Sequence, residues 1–407
     1  MPTFAPLAGA AVACTSLLVG ATAAAANGAP QLAIDPAAVA SSEGVAVQLG
    51  PVTKDPKSPF FGEDEPWDVA WWNTYPTAAY DPKEKKYKLW YDGVGDCGCA
   101  KGKKTCTVAD GGLSNAGMCP HLKYNYSTTF GKGGPGFTYY AESTDGVTWT
   151  KPSLGQVEFG GSKANNIVLS TTSDPNRGVF LDEHETNSSR RYKMFGVFGA
   201  KGSHTLPKGG VATLVSADGK VWTDIVSASS MAVAADTANN ALYDKDLKKY
   251  IAFSRNHCTN ARCNESGWGE RRETRSVSST WEGGWSKATE VLHGEHVRPS
   301  SLPLRVLLSE QRSEGAAVAQ GYEMYSLVPF HSPTWTPGLY IGIGSFFETT
   351  NPEGYVVCEL CRSTDYGSTW ERLAPHKPII PPGAQGSFDS HTCCAQPAVL
   401  CAVLTRS

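Results

Sequence analysis

One pattern recurs four times along this chain of 407 residues, and any fold must give its copies equivalent places. A polar turn precedes a short alternating strand rich in Tyr and Trp: YDPKEKKYKLWYDG (80–93), DEHETNSSRRYKMFGVFG (182–199), YDKDLKKYIAFSRN (243–256) and SPTWTPGLYIGIGSFF (332–347). Alternation with period two and aromatic enrichment reads as β-strand. A second unit follows each first one: YYAESTDGVTWTKP (139–152), VATLVSADGKVWTDI (211–225), TRSVSSTWEGGWSKA (274–288) and ELCRSTDYGSTWERL (359–373). The last contains Ser363, Asp365, Gly367, Thr369 and Trp370, an Asp box, and the first two carry the shorter S-x-D-G-x-x-W form. In such a hairpin the Asp caps backbone amides, the Gly takes a left-handed dihedral and the Trp packs beneath. Asp145, Asp218 and Asp365 are therefore structural rather than catalytic. A fifth unit begins at QGSFDSHTCCAQPAVL (385–400) and then stops. The expected fold is all-β, a five-bladed β-propeller over residues 45–400 with its last blade incomplete.

Composition agrees. Charged residues are 18% of the chain, against about 25% in an average soluble protein. The 42 Gly and 26 Pro favour turns over long helices, so a coiled coil and a helical bundle are excluded. With 41% hydrophobic residues a core can form, which excludes global disorder. Low charge with 11 Trp and 16 Tyr is the profile of an extracellular protein that faces carbohydrate. A formal charge of −3 gives no reason to expect a nucleic-acid partner. GKGGPG (131–136) lacks the strand–helix context that phosphate binding needs, and no H-E-x-x-H, Walker or G-x-S-x-G motif occurs.

Residues 1–26, apolar from Leu7 and ending in four alanines, read as a secretory signal peptide. The sequons at Asn125, Asn187 and Asn264 fit export. The expectation is a secreted glycoprotein, monomeric, with no membrane association after cleavage; N-terminal anchoring is the alternative. Outside the signal, cysteines cluster at 97–119, 258–263, 358–361 and 393–401, which in an exported chain reads as local disulfides. The Gly- and Cys-rich stretch 96–136 reads as a stapled surface loop. Residues 297–320 lack any aromatic and, with the tail CAVLTRS, read as foreign to the repeat: a retained intron and a premature end, in preference to a disordered loop and an ordinary terminus.

DVAWWNTYPTAAYDPKEKKYKLWYDG (68–93), GVFLDEHETNSSRRYKMFG (178–196), DTANNALYDKDLKKYIAFSR (236–255) and GSFDSHTCCAQP (386–397) resemble successive blades of the five-bladed propeller glycoside hydrolases, the invertase-like family 32 and arabinanase-like family 43 enzymes. The resemblance implies acidic residues on innermost strands converging on an axial funnel. An oxocarbenium-like transition state needs a negative group on one face and a proton at the leaving oxygen. Carried over by position, it makes Asp68 the nucleophile or base, Asp182 and Asp236 the carboxylates of the second and third blades, and Glu323 the acid. Trp71 and Trp72 offer a stacking platform, and His184, Arg177, Arg255 and His391 offer polar contacts to substrate. The chain departs from the family in lacking W-x-N-D-P-N-G, in carrying Leu181 rather than Arg before Asp182, and in placing Glu359 on an outer strand. No cofactor or metal site is expected; the implied architecture admits a structural Ca²⁺, but no acidic cluster demands one.

Two other functions compete with a glycosidase acting on oligo- or polysaccharide. A glycan-binding propeller without catalysis would keep the aromatic platform and tolerate loss of the inner-strand acids. A sialidase would need a three-Arg clamp and a Tyr nucleophile, yet Arg271, Arg272 and Arg275 crowd one strand and the early F/Y-R-I-P motif is missing.

Overall fold

The computed structural model describes residues 34–35, 41, 52–62, 64–65, 67–68, 76–94, 136–159, 161–171, 177–198, 210–227, 235, 238–257, 271–294, 322–332, 335–348, 355–385, 387 and 389–390. The expected signal peptide and the suspect segment 297–320 lie outside them.

Among the described residues, sixteen strands form four antiparallel sheets, each a simple meander. The first contains β1 (Thr77–Asp81), β2 (Lys86–Val94), β3 (Gly136–Ser143) and β4 (Ile167–Thr171). The second contains β5 (Gly178–Leu181), β6 (Tyr192–Phe198), β7 (Gly210–Ser216) and β8 (Thr223–Ser227). The third contains β9 (Asn239–Asp244), β10 (Lys249–His257), β11 (Arg271–Ser278) and β12 (Thr289–His293). The fourth contains β13 (Tyr322–Phe330), β14 (Tyr340–Glu348), β15 (Tyr355–Ser363) and β16 (Glu371–Arg372). The only helical turn among the described residues is the 3₁₀ turn Ser188–Arg190.

These sheets are four consecutive blades of a propeller. The expectation of five is corrected to four within the described residues: residues 381–390 carry no strand there, and 391–407 lie outside.

Period-two alternation lets each sheet face two neighbours at once. Trp90 and Tyr140 of the first sheet pack on Val179, Tyr192, Met194 and Leu214 of the second. Phe195 and Val215 then meet Ala252, Trp281 and Trp285 of the third, whose Ile251 and Phe253 meet Met324, Leu327, Tyr340 and Phe346 of the fourth. The turn between β7 and β8 ties the first two blades together as well. Asp218 accepts the Lys220 and Val221 amides at 2.8 and 3.1 Å, and Trp90 donates its indole N–H to the Gly219 carbonyl at 2.7 Å. Gly219 has φ +76°, and a Cβ there would stand 2.4 Å from the Trp90 ring, so no other residue fits.

Cys358 and Cys361 do not pair. Three positions apart on β15, they face opposite sides of the fourth sheet, one in the Ile341–Ile379 cluster and the other in the Phe253–Met324 cluster. Cys361 keeps a free, buried thiol whose pKa desolvation pushes up to about 12.

Candidate functional site

The innermost strands β1, β5, β9 and β13 lie side by side and start at the same end of the propeller. The Val179 amide donates to Thr77 Oγ at 3.2 Å, the Gly178 Cα faces the Asn239 carbonyl where a Cβ would sit 2.1 Å away, and Asn240 Nδ2 donates to the Leu327 carbonyl at 3.1 Å. Two ends follow from this, one where inner strands start and one where they finish, and they carry different chemistry.

At the finishing end the same device recurs. Asp81, Asp182 and Asp244 each close an inner strand, cap the following turn, and accept a tyrosine hydroxyl from the second strand of the next blade: Tyr192, Tyr250 and Tyr340, at 2.5, 2.9 and 2.5 Å. The turn amides are those of Lys83 for Asp81, His184 for Asp182, and Asp246 and Leu247 for Asp244. Lys88 and Lys193, both fully buried, add a cation 3.7 and 3.8 Å from Asp81 and Asp182. Despite desolvation, four donors, Arg191 first, then Tyr192 and the Lys83 and Glu84 amides, hold Asp81 far below the usual carboxylate range. Desolvation and the neighbouring carboxylate raise the Tyr192 and Tyr250 hydroxyls well above their usual range.

Asp182 thus sits at the finishing end, not at the substrate-facing position that the repeat suggested. The reason is register: it follows β5, as Asp81 and Asp244 end β1 and β9. His184 lies beside it, exposed, its ring 4.7 Å from that of Tyr243.

Asp68 does not open an innermost strand. It stands in a turn nine residues before β1, where its carboxylate accepts the Asp64 and Glu65 amides, the Tyr91 hydroxyl at 3.1 Å and the Lys151 ammonium at 2.5 Å. Burial raises its pKa, with Lys151 the largest opposing influence. The face of β2 that bears Tyr91 turns away from the second blade, so Asp68 stands apart from Asp182, Arg255 and Glu323.

The starting end carries the remaining polar groups. Between the first and second blades, Asp92 accepts the Thr138 hydroxyl at 2.6 Å and the Arg177 amide at 3.0 Å, while Arg177 Nη1 donates to Thr138 Oγ at 3.0 Å. All three are buried, and the Arg177 guanidinium lies 4.7 Å from the Phe198 ring. Arg177 anchors an inter-blade knot here.

Between the third and fourth blades, the run Arg271-Arg272-Glu273-Thr274-Arg275 on β11 splits by alternation. Arg272 pairs with Glu290 at 2.6 Å, and Thr274 accepts from Asn256 at 2.7 Å. Arg271 and Glu273 turn towards β13. Arg271 is ion-paired with Glu323, the second residue of β13. Arg255 stands opposite Glu273 in the β10–β11 register. Tyr325 joins the two: its ring lies 4.5 Å from the Arg255 guanidinium and 5.6 Å from that of Arg271, and its carbonyl accepts from Arg255 at 3.2 Å. It occupies a β-bulge between Met324 and Ser326, a device that re-aims a side chain.

Glu273 is the unusual member. Its exposure is 0%, and neither carboxyl oxygen has a hydrogen-bond partner. Leu292 is its register partner on β12. Desolvation raises its pKa well above its usual value; the Arg255 charge and the Leu327 amide oppose this. Glu323 is 8% exposed and is ion-paired with Arg271.

The structure therefore brings Glu323 and Arg255 together and separates them from Asp68, Asp182 and His184, with Arg177 in its own knot. Asp236, Trp71, Trp72 and His391 lie outside the described residues. Sequence reasoning passed over Glu273, Arg271 and Tyr325, although the period-two spacing of Arg271 and Glu273 puts them on one face of a strand. Among the described residues no group of three or more His, Cys, Asp or Glu is placed to hold a metal ion.

No family model matches this chain, and no curated protein matches its sequence. Among solved structures it is similar to an N-acetylgalactosamine deacetylase from F. plautii in complex with blood group B trisaccharide, at 14% identity over 78% of this chain and 73% of that one, with a TM-score of 0.42. It is similar to an endo-arabinase from Bacteroides thetaiotaomicron VPI-5482, at 12% identity over 74% and 78%, TM-score 0.38. It is also similar to an alpha-L-arabinanase from Penicillium chrysogenum complexed with arabinobiose, at 12% identity over 76% and 68%, TM-score 0.37. Likenesses of this size decide neither the blade count nor the activity.

Proposed function

We propose that this protein is a secreted glycoside hydrolase that cleaves oligo- or polysaccharide at the end of the propeller where the inner strands start. The observation that carries the reading is Glu323, near the start of an innermost strand and ion-paired with Arg271, beside the buried Glu273 whose pKa desolvation raises. Glycosidic cleavage needs a carboxylate at the reacting sugar. Glu323, near the start of an innermost strand and 8% exposed, is the catalytic carboxylate that meets the sugar. Its ion pair suits a base or nucleophile better than the acid first expected. Glu273, sealed from solvent, is a positioning residue acting through Arg255 and Tyr325. Asp236, three residues before β9, belongs to the proposal as the acid from the third blade.

Export is supported by the apolar N-terminal stretch and by the sequon at Asn187, which is exposed.

The test is sugar release from plant and algal polysaccharides and aryl glycosides, comparing parent with Glu323→Gln after circular dichroism shows equal folding. Release by the parent alone is expected. A folded parent that retains a glycan without cleaving anything would overturn hydrolysis in favour of a glycan-binding propeller.

A further inference from the structure

Four blades leave two sheet faces that no described sheet covers. One is the face of the first sheet that bears Leu89, Tyr91, Phe137 and Tyr139. The other is the face of the fourth sheet that bears Ile341, Ile343, Cys358 and Leu360. Both are apolar, and strong exposure of either would make it an aggregation surface.

A single stretch of chain ahead of β1 reaches both. Val52 packs on the fourth-sheet cluster, and Phe61 and Trp67 pack on the first-sheet cluster. Nine residues separate Val52 from Phe61, enough to span about 30 Å when extended. Polar contacts fasten the stretch at each end. Near the fourth sheet, Lys54 is ion-paired with Asp389 in the turn that follows that sheet. At the first sheet, the Trp67 indole donates to Asn166 at 2.5 Å, and the Tyr139 hydroxyl donates to the Trp67 carbonyl at 2.8 Å. Lys151, its side chain 5% exposed, completes the fastening. It is ion-paired with Asp64 and Asp68, donates to the Gly62 carbonyl at 2.7 Å, and lies 4.5 Å from the Phe61 ring.

We propose that residues 52–68 are a strap that closes the propeller between its fourth and first blades, and that Lys151 is the lock that fastens it to the first. Asp68 belongs to this lock. Four contacts of three kinds converge on one ammonium that is almost out of solvent, on a segment whose described residues carry no strand pairing. A segment held only by side chains opens locally, ahead of the sheets, when its fastening is removed.

The experiment is hydrogen–deuterium exchange by mass spectrometry on the full chain, comparing parent with Lys151→Met, and with Trp67→Phe as the milder change that loses only the bond to Asn166. Exchange in peptides covering 52–68 is expected to speed up about tenfold or more, as local opening requires, while the second and third sheets exchange as in the parent. Binding of a hydrophobic dye is expected to rise in parallel as the two faces are uncovered. An equal acceleration in all four sheets would overturn the strap, because the segment would then be part of the global folding unit. Unchanged exchange in both variants would overturn the lock.

Discussion

Replacing Glu273 with Met is expected to make the protein more stable and to abolish its activity. The buried carboxyl has no hydrogen-bond partner, and Met fills a similar volume without polar atoms. A buried polar group left unpaired costs about 1–3 kcal/mol in proteins, so relief of that size is expected at pH 5. A second contribution depends on pH. The folded-state pKa is raised above the ordinary value of about 4.5, so the stability linked to this proton is fully present below that value and is lost as pH rises towards the folded value. In that window the unfolded chain ionises while the native carboxyl stays neutral, at about 1.4 kcal/mol per pH unit. Met cannot titrate, so the gap between variant and parent should widen from pH 5 to pH 7. Urea unfolding at both pH values reads this directly, and Glu273→Gln serves as the control that keeps an unpaired polar group. A Met variant less stable than the parent by more than about 2 kcal/mol, with a gap that ignores pH, would refute the reasoning. It would mean that the carboxyl is ionised and satisfied by Arg255.

Four further outcomes are expected. Asp182→Asn should cost about 1–3 kcal/mol, as loss of a charged hydrogen-bond acceptor does, and Asp244→Asn should cost a similar amount in the same urea assay. Gly219→Ala should lower stability by more than about 2 kcal/mol, because φ +76° and the Trp90 ring both oppose a Cβ; a neutral result in thermal unfolding would contradict the turn geometry. Glu142, hydrogen-bonded by Lys86 and Lys220, has its pKa lowered to about 2, so its contribution is present above 4.5 and fades as pH falls towards 2. Glu142→Gln should flatten acid unfolding in that interval. The Cys361 thiol should resist a thiol reagent at neutral pH until denaturant is added, since burial holds it protonated.

The blades were legible because their signals are local. Alternating aromatics, the Ser-x-Asp-Gly turns at 143–146 and 216–219, and the polar turns at 81–85 and 244–248 each specify a hairpin without long-range information. The site was less legible. Asp81, Asp182 and Asp244 have the spacing of a catalytic repeat, yet that spacing is set by tyrosines on the next blade, and which blade a tyrosine reaches is a tertiary fact. Asp68 looked like a strand opener because it leads into an aromatic run; its partner Lys151 stands 83 residues away. Glu273 was overlooked for the opposite reason. In sequence it is one acid among three arginines, and only burial against Leu292 raises its pKa. Glu323 was found because it lies early on an inner strand, a position the repeat does predict.

The most direct test compares Glu323→Gln with Asp182→Asn on the best substrate from the polysaccharide panel, both folded. The account predicts that Glu323→Gln loses about three orders of magnitude or more in turnover, as loss of an essential catalytic group does, while Asp182→Asn loses stability and keeps its turnover. Full activity in Glu323→Gln with none in a folded, equally stable Asp182→Asn would contradict it and move the chemistry to the other end of the propeller.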